Sequence, residues 1–465
     1  YGGSTVAATV DASGGAGVGI DAQASGTGMT FTGSSQVDAV AGSVSNDSLT
    51  GGSGADDLSG GTGADTIDAG AGADTVAGGA GNDTIDLGAS DSSTDTYVSL
   101  GGSGTSNIDT IANLNAGATA GDILALKGST DSAAAFLNAG TVSVENITSL
   151  TEAGDANDNV LLLSTGFYAN AAAISTALAA GGSVTFGSGI GSGTDDVVLV
   201  YQATSGGDAR VATAEIANAG GISNVQDVAI LTGVTTLTTL TANNFNLDDA
   251  IGSAGNDSLV GTNAAETLTG GHGVDVIDGL QGTDTVNITE TYQTADTVII
   301  RDETDITAIT GFTTVVADDV IRIDVSDMNT ALTGGGQLVD STADLAAAND
   351  NVVFQTLTDG ATLATGAVDN AANVFKFTDT TGLNSIADLT YNITLDANRG
   401  DADDKVLGLF YDANDGLATL ITMGDTGGAD ANLTDTSGSE VVLATAAMST
   451  AEYTALVAAN IEFVA

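Results

Sequence analysis

The chain contains no cysteine, tryptophan or proline, a single histidine, and only seven basic residues. Without cysteine, neither a disulfide framework nor a thiolate metal site can be built. One histidine, His272, cannot supply the pair that an HExxH zinc centre needs. It occupies a variable position of the turn GGHGVD and is expected to be an exposed turn residue. Ser-His-Asp catalysis would need the same histidine, and no GxSxG elbow accompanies it. The acid pairs Asp195–Asp196 and Asp403–Asp404 could be imagined as glycosidase carboxylates, but both open strand-like segments, where turn or calcium roles fit better. Aromatics make up 4% of the chain, which leaves little for a sugar-stacking cleft. The aromatics in strand-like runs, Phe167, Tyr168, Phe354, Phe375, Phe377, Phe410 and Tyr411, are expected in the core. No enzymatic activity is expected. Proline cannot donate to a β-ladder, so its absence suits long stacked β-structure. No apolar run reaches the 18 residues of a membrane-spanning helix. The start, YGGSTVAATV, has neither an initiator Met nor a signal-peptide pattern, and is expected to lie inside a longer protein or after a cleavage.

Acid dominates what remains. Sixty acidic residues give a formal charge of -53, which repels nucleic acid and anionic membrane surfaces alike. Such a charge destabilises a compact state unless cations neutralise it, and divalent ions are the natural candidates. The chain is nevertheless 42% hydrophobic with a mean hydropathy of +0.21, far too apolar for a disordered polyanion. No five like charges run together, so acids and buried strands are interleaved.

The interleaving is periodic. Residues 42–86 read GSVSNDSLT, GGSGADDLS, GGTGADTID, AGAGADTVA and GGAGNDTID. Asp47, Asp56, Asp65, Asp74 and Asp83 recur every nine residues, in phase with Leu49, Leu58, Ile67, Val76 and Ile85. A more degenerate block at 252–287 places Asp257, Glu266, Asp275 and Asp284 in phase with Leu259, Leu268, Ile277 and Val286. The glycines permit positive φ, so six residues can turn tightly with carbonyls directed inward, and the next three form a minimal strand with its central aliphatic residue in the core. Two nonapeptides then close a coil of 18 residues, stacking Asp47, Asp65 and Asp83 on one edge and Asp56 and Asp74 on the other. Stacked strands lie roughly 4.8 Å apart, where two carboxylates repel by about 3.5 kcal/mol at an effective dielectric near 20. A hard dication with oxygen ligands removes that repulsion. Calcium suits a carbonyl-rich turn better than magnesium, which demands a small octahedron and keeps its water.

GGSGADDLS, GGTGADTID and GGAGNDTID resemble the repeats of the RTX (repeats-in-toxin) family. The resemblance implies a parallel β-roll that binds several Ca2+ ions between turns, in a bacterial protein that leaves the cell unfolded by type I secretion and folds outside it. It also implies the ligands. In the first block the side-chain donors would be Asp47, Asp56, Asp65, Asp74 and Asp83. The turn carbonyls would come from Gly51, Gly52, Gly54, Gly60, Gly61, Gly63, Gly70, Gly72, Gly78, Gly79 and Gly81. In the second block the donors would be Asp257, Glu266, Asp275 and Asp284 with Gly270, Gly271 and Gly273, the Glu266 coil being the weakest. The ending NIEFVA, with Glu462 before three apolar residues, is similar to an uncleaved type I secretion signal, or is an ordinary last strand.

The expected fold is all-β, with parallel β-roll or β-solenoid blocks alternating with β-sandwich-like modules and few short helices. The segments are 1–41 (solenoid-like), 42–88 (first roll), 89–250 (β-rich module), 251–288 (second roll) and 289–465 (β-rich module with the C-terminal signal). Each block is followed by a GD- or DD-initiated strand, a segment opened by a DNV strand (158–180 and 350–378) and a DDxVL strand, which reads as a duplication. A hairpin is expected around Ser205–Asp208, and helices only at 169–180 and 446–459. The composition resembles the calcium-dependent surface-layer proteins of Gram-negative bacteria. An extracellular or cell-surface structural subunit is therefore expected, self-associating into a lattice or filament. The alternatives are the secretion and folding module of a large exoenzyme, or the end of an adhesin binding a cell-surface glycan.

Overall fold

The computed structural model describes residues 8–88, 93–99, 107–117, 121–126, 142–147, 153–154, 159–164, 166–179, 185–186, 196–216, 222–247, 250–261, 265–301, 307–314, 319–324, 354–357, 361–363, 374–377, 391–394, 405–412, 415–424, 432–434 and 441–464. The chain divides into two compact units, Tyr1–Asn256 with Gly271–Gly273, and Asp257–Gly270 with Val274–Ala465. The class is all-β.

In the first unit, twelve short strands alternate between two parallel sheets. One sheet stacks β1 (Ala8–Asp11), β3 (Met29–Thr32), β5 (Ser48–Ser53), β7 (Thr66–Ala71), β9 (Thr84–Asp86) and β11 (Asp109–Ala112). The other stacks β2 (Gly19–Asp21), β4 (Ala39–Ala41), β6 (Asp57–Ser59), β8 (Thr75–Ala77), β10 (Thr96–Val98) and β12 (Ile123–Ala125). The 18-residue coil sets the register. Leu49 pairs with Ile67 and Ile67 with Ile85, while Leu58 pairs with Val76 on the opposite side. All five are at most 1% exposed, so the roll has a dry aliphatic centre to which each such side chain contributes roughly 1.5–3 kcal/mol. The coils begin before the glycine-rich block, with Phe31 stacked on Leu49 and Val40 on Leu58, and continue after it as Tyr97 and Ile111.

The following segment extends the sheets of the roll. Ile222–Thr232 joins β11 in parallel, Ala209–Ile216 and Asp196–Gln202 add antiparallel strands, and Val160–Leu163 and Val144–Ile147 complete the edge in parallel. The expected hairpin is present between Asp196–Gln202 and Ala209–Ile216. The strand Phe245–Asn246 closes the other sheet against β12.

The second unit repeats this plan. Ser258–Val260, Val276–Asp278, Thr297–Ile300 and Val320–Asp324 stack in parallel and are closed by Ile461–Val464. Thr267–Thr269, Thr285–Asn287 and Thr307–Thr310 stack likewise. They are followed in space by Val441–Ala447, Leu417–Gly424, Lys405–Asp412, Val374–Phe377 and Phe354–Leu357. The pairing senses after the roll are the same in both units: parallel, antiparallel, antiparallel, parallel, parallel. Topology corrects one detail of the sequence alignment. The DNV strand at Val160–Leu163 lies beside Asp196–Gln202, and its counterpart is Val374–Phe377 beside Lys405–Asp412, near the end of the second DNV segment and not the strand that opens it. A short shared tripeptide misled where neighbour order decides.

The helix expected at 169–180 spans Ala171–Ala179. In 446–459 only Thr450–Ala455 is α-helical, because Val441–Ala447 is still strand and Ala458–Asn460 is a 3-10 turn. Phe375, Phe377, Phe410 and Tyr411 are buried, whereas Phe167 is 54% exposed: it lies outside the sheet, just before the helix. The side chain of Phe354 and the acids Asp195, Asp403 and Asp404 lie outside the described residues.

Candidate metal centre

The aspartates of the period form two columns, one along each edge of the roll. Asp47 Oδ1 accepts from Met29 N, and from Asp56 onward each Oδ1 accepts the backbone N–H of the aspartate one coil earlier. Asp65 Oδ1 receives Asp47 N at 2.7 Å, Asp83 Oδ1 receives Asp65 N at 2.7 Å, and Asp74 Oδ1 receives Asp56 N at 2.8 Å. The aspartate carbonyls serve the ladder too, accepting from Thr66, Thr75, Thr84 and Thr96 at 2.7–2.9 Å. Because both backbone groups and one carboxylate oxygen are committed to stacking, the acids are held inside: Asp47, Asp56, Asp65, Asp74 and Asp83 are all at most 4% exposed.

The columns run beyond the glycine-rich block. Asp38 precedes it, and Asp95, Asp109 and Asp122 follow it with the same Oδ1 bond despite spacings of 21, 26 and 27 residues. Strict periodicity hid the last three, whereas Asp38 is in phase with Asp47 but lies before the glycine-rich block. In the second unit the column Asp257, Asp275, Asp296 and Asp319 repeats the arrangement at 2.9 Å, and Glu266 keeps its place by donating its N–H to Asp284 Oδ1 at 3.0 Å.

The second carboxylate oxygen separates two kinds of turn. In Asp38, Asp47, Asp122 and Asp319 it accepts a backbone N–H from the turn, of Ser34, Ser43, Asn115 and Thr313 respectively, at 2.6–2.7 Å. In Asp56, Asp65, Asp83, Asp275 and Asp284 it is buried with no hydrogen-bond partner. The residue four before the acid decides between them. Ser34 and Ser43 present their N–H to the carboxylate, whereas Gly52, Gly61, Gly79 and Gly271 adopt φ between +87° and +109° in the same place. Even Leu280, before Asp284, is held at φ +62°, a conformation that costs a branched side chain of order 1–2 kcal/mol. Positive φ turns the amide away and leaves the oxygen open. The residue five before the acid shapes the space beside it. A Cβ on Gly60 would lie 2.4 Å from Asp65 Oδ2 and 2.6 Å from the carbonyl oxygen of Gly78, and one on Gly51 would lie 2.6 Å from Asp56 Oδ2 and 2.4 Å from that of Ala69. A carboxylate oxygen and a carbonyl from the next coil thus converge on one small space.

Five buried carboxylate oxygens without donors, two of them (Asp56 and Asp65) beside a carbonyl of the next coil, fit a hard cation. Burial, reinforced by neighbouring acids, pushes Asp65 up to about 7 and Asp275 up to about 9, and pushes Asp56 up to about 6. At neutral pH Asp275 therefore keeps its proton unless a cation replaces it, and Asp65 is divided between the two forms. Asp109, also raised to about 7 mainly by burial, ends its column differently: its Oδ2 accepts the Tyr97 hydroxyl at 2.7 Å. Among the expected donors, Asp47 shares the ladder but has its Oδ2 occupied by Ser43, so the open oxygens belong to the turns whose fourth residue before the acid has positive φ, Leu280 included.

Two further residues escaped the sequence reading. Asn244 and Asn460, each fully buried, finish the columns. In the ladder, the residue after each acid donates its backbone N–H to the acid carbonyl one coil earlier. Asn244 and Asn460 instead give that N–H to a 3-10 turn, and their Nδ2 atoms reach Asp122 O and Asp319 O at 2.9 and 3.0 Å. The recurrence of TANNF (241–245) as VAANI (457–461) was the available signal. Ile461–Val464, within the ending read as a secretion signal, is thus the counterpart of the internal strand Phe245–Asn246, with Glu462 paired to Arg322 at 2.8 Å. His272 is also not the exposed turn residue expected. Its ring is 14% exposed, with Nδ1 3.0 Å from Asp57 Oδ2.

Fold and site together define a calcium-binding parallel β-roll. The family model of the RTX calcium-binding nonapeptide repeat (four copies) matches residues 32–67, 59–92 and 251–286. The chain therefore carries RTX repeats in both units; calcium is their cofactor, and such repeats are typical of secreted bacterial proteins. No curated protein and no solved structure matches the chain. No described helix is long and apolar enough to cross a membrane.

Proposed function

We propose that the chain is a calcium-dependent extracellular structural subunit of a bacterial surface layer or matrix filament, folding on calcium after type I secretion. The observation that carries this reading is the repetition of one whole plan, roll plus sheet extension plus asparagine cap, in both units. Duplicated rigid β-units with few basic residues suit assembly, because bound calcium offsets the repulsion between chains of charge -53. The chain itself has no catalytic role in this reading. Electron microscopy of the purified protein with and without calcium tests it. Ordered sheets or fibres that dissolve in chelator are expected; monodisperse particles in calcium refute it and favour the exoenzyme or adhesin alternatives.

A further inference from the structure

The turn that leads to Asp296 departs from the repeat. Asp296 follows Asp275 by 21 residues instead of 18, and the segment TETYQTAD (289–296) contains no glycine. None of its residues has positive φ, so the glycine cradle of the regular turns is missing here. A side chain stands in the vicinity instead. One carboxylate oxygen from each of Asp275, Glu290 and Asp296 lies within 4.8 Å of the other two. Asp275 and Asp296 are at most 1% exposed, and Glu290 is half-buried.

The cluster has a specific vacancy in its bonding. Asp275 Oδ1 accepts from Asp257 N, and Asp296 Oδ1 accepts from Asp275 N, both at 2.9 Å. Asp275 Oδ2 is buried and has no hydrogen-bond partner. Glu290 is anchored in place by Thr294, whose N–H and hydroxyl donate to it at 2.7 and 2.9 Å. Three acids are thus oriented toward one another rather than splayed into water.

We infer that Asp275, Glu290 and Asp296 form a three-carboxylate calcium site in which Glu290 takes over from the turn carbonyls of the repeats. Glu290 lies outside the segment matched by the repeat family. The spacing admits calcium: calcium–oxygen distances of about 2.3–2.6 Å place ligands on opposite sides of the ion up to about 5 Å apart, which accommodates the cluster. Zinc prefers nitrogen and sulfur donors that the chain lacks here. This site rests on the reading that the roll binds calcium, but it adds to the repeat's Asp275 two ligands, Glu290 and Asp296, that the nonapeptide pattern does not predict.

The test is calcium titration of the calcium-stripped full chain, by calorimetry and equilibrium dialysis, for wild type, Glu290→Gln and Thr294→Val. Glu290→Gln is expected to lose one bound ion, or to bind one at least tenfold more weakly, with the remaining sites unchanged. Thr294→Val keeps all three carboxylates and is expected to weaken one class of site severalfold. An isotherm for Glu290→Gln that superimposes on wild type overturns the inference. If that variant does not fold in saturating calcium, an unchanged isotherm for Thr294→Val overturns it. Wild type that binds no calcium at all fails the reading of the roll itself, a separate result.

Discussion

Asp65→Asn separates the two ways in which a buried acid of the roll can be neutralised. Asn keeps an oxygen for the Asp47 N–H, 2.7 Å away in the native ladder, but can neither ionise nor offer a second anionic oxygen. In the ion-free protein, burial raises Asp65 from 3.8 to about 7, and the charges of Asp83 and Asp47 add to that. A carboxyl whose folded pKa is raised is most favourable to folding below its unfolded pKa, and that advantage is lost as pH climbs through the folded value. The linkage makes ionisation of this group cost about 2 kcal/mol at pH 5 and about 4 kcal/mol at pH 7. Asp65→Asn should therefore stabilise the ion-free chain by those amounts, and by almost nothing below pH 4. With calcium the sign reverses. An amide N–H2 facing the ion replaces an anionic ligand, so the calcium concentration for half-folding should rise about tenfold, or ~1.4 kcal/mol. The assay is urea unfolding followed by far-UV circular dichroism, at pH 4 and pH 5 in calcium-free buffer, with calcium titrations at pH 7. Equal destabilisation with and without calcium would refute the reasoning, since it would mean that Asp65 acts only through packing.

Calcium-free protein should lose stability steadily as pH rises from about 4. The loss should continue to higher pH in the second unit, where Asp296 and Asp275 are pushed to about 8 and 9, than in the first, where Asp56 and Asp65 reach about 6 and 7; amide exchange resolved by unit checks this. Gly72→Ala should cost at least about 3 kcal/mol even in saturating calcium, because its φ is +142° and the new Cβ would meet the Gly54 carbonyl oxygen at 1.3 Å; a thermal midpoint within a degree of wild type would contradict it. Asn244→Ala and Asn460→Ala should each cost about 2–4 kcal/mol by leaving a buried acid carbonyl and the Thr241 or Val457 N–H unsatisfied. Their effects should match in size, and unequal losses in urea unfolding would argue that the two caps are not equivalent.

The sequence made the roll legible because one period served two purposes. A residue such as Ile67 had to return every 18 residues to the same core position, and Asp65 had to return with it, so a slip in either would have been visible. The same property limited the reading. Tyr97 and Ile111 continue the stack after loops of irregular length, and their acids Asp95 and Asp109 fell outside any fixed spacing. The sheet extensions were legible as strands but not as neighbours, since Val374–Phe377 and Val160–Leu163 share a place in the sheet and not a motif. His272 was unreadable for a simpler reason: its partner Asp57 is 215 residues away.

Within the regular nine-residue turns, one backbone angle separates the acids that keep an oxygen open for a metal from those that only stack. Asp47 and Asp65 belong to the same column, the same period and the same Oδ1 ladder, yet Ser43 fills the second oxygen of one and Gly61 leaves that of the other open. A carboxylate satisfied by an amide needs no cation to be buried, so the coils around Asp38 and Asp47 can form before calcium arrives. A carboxylate facing a positive-φ turn is burdened by its own desolvation until an ion or a proton reaches it. Each column of the first unit therefore has a metal-independent end, at Ser34 in one and Ser43 in the other, and a metal-dependent middle, and folding on calcium should propagate from the former into the latter. Ser43→Gly would move the boundary by one coil. It should create an additional calcium-dependent turn at Asp47, seen as one more bound ion and as greater loss of β-signal in chelator; an unchanged ion count would show that the angle at this position does not control metal binding.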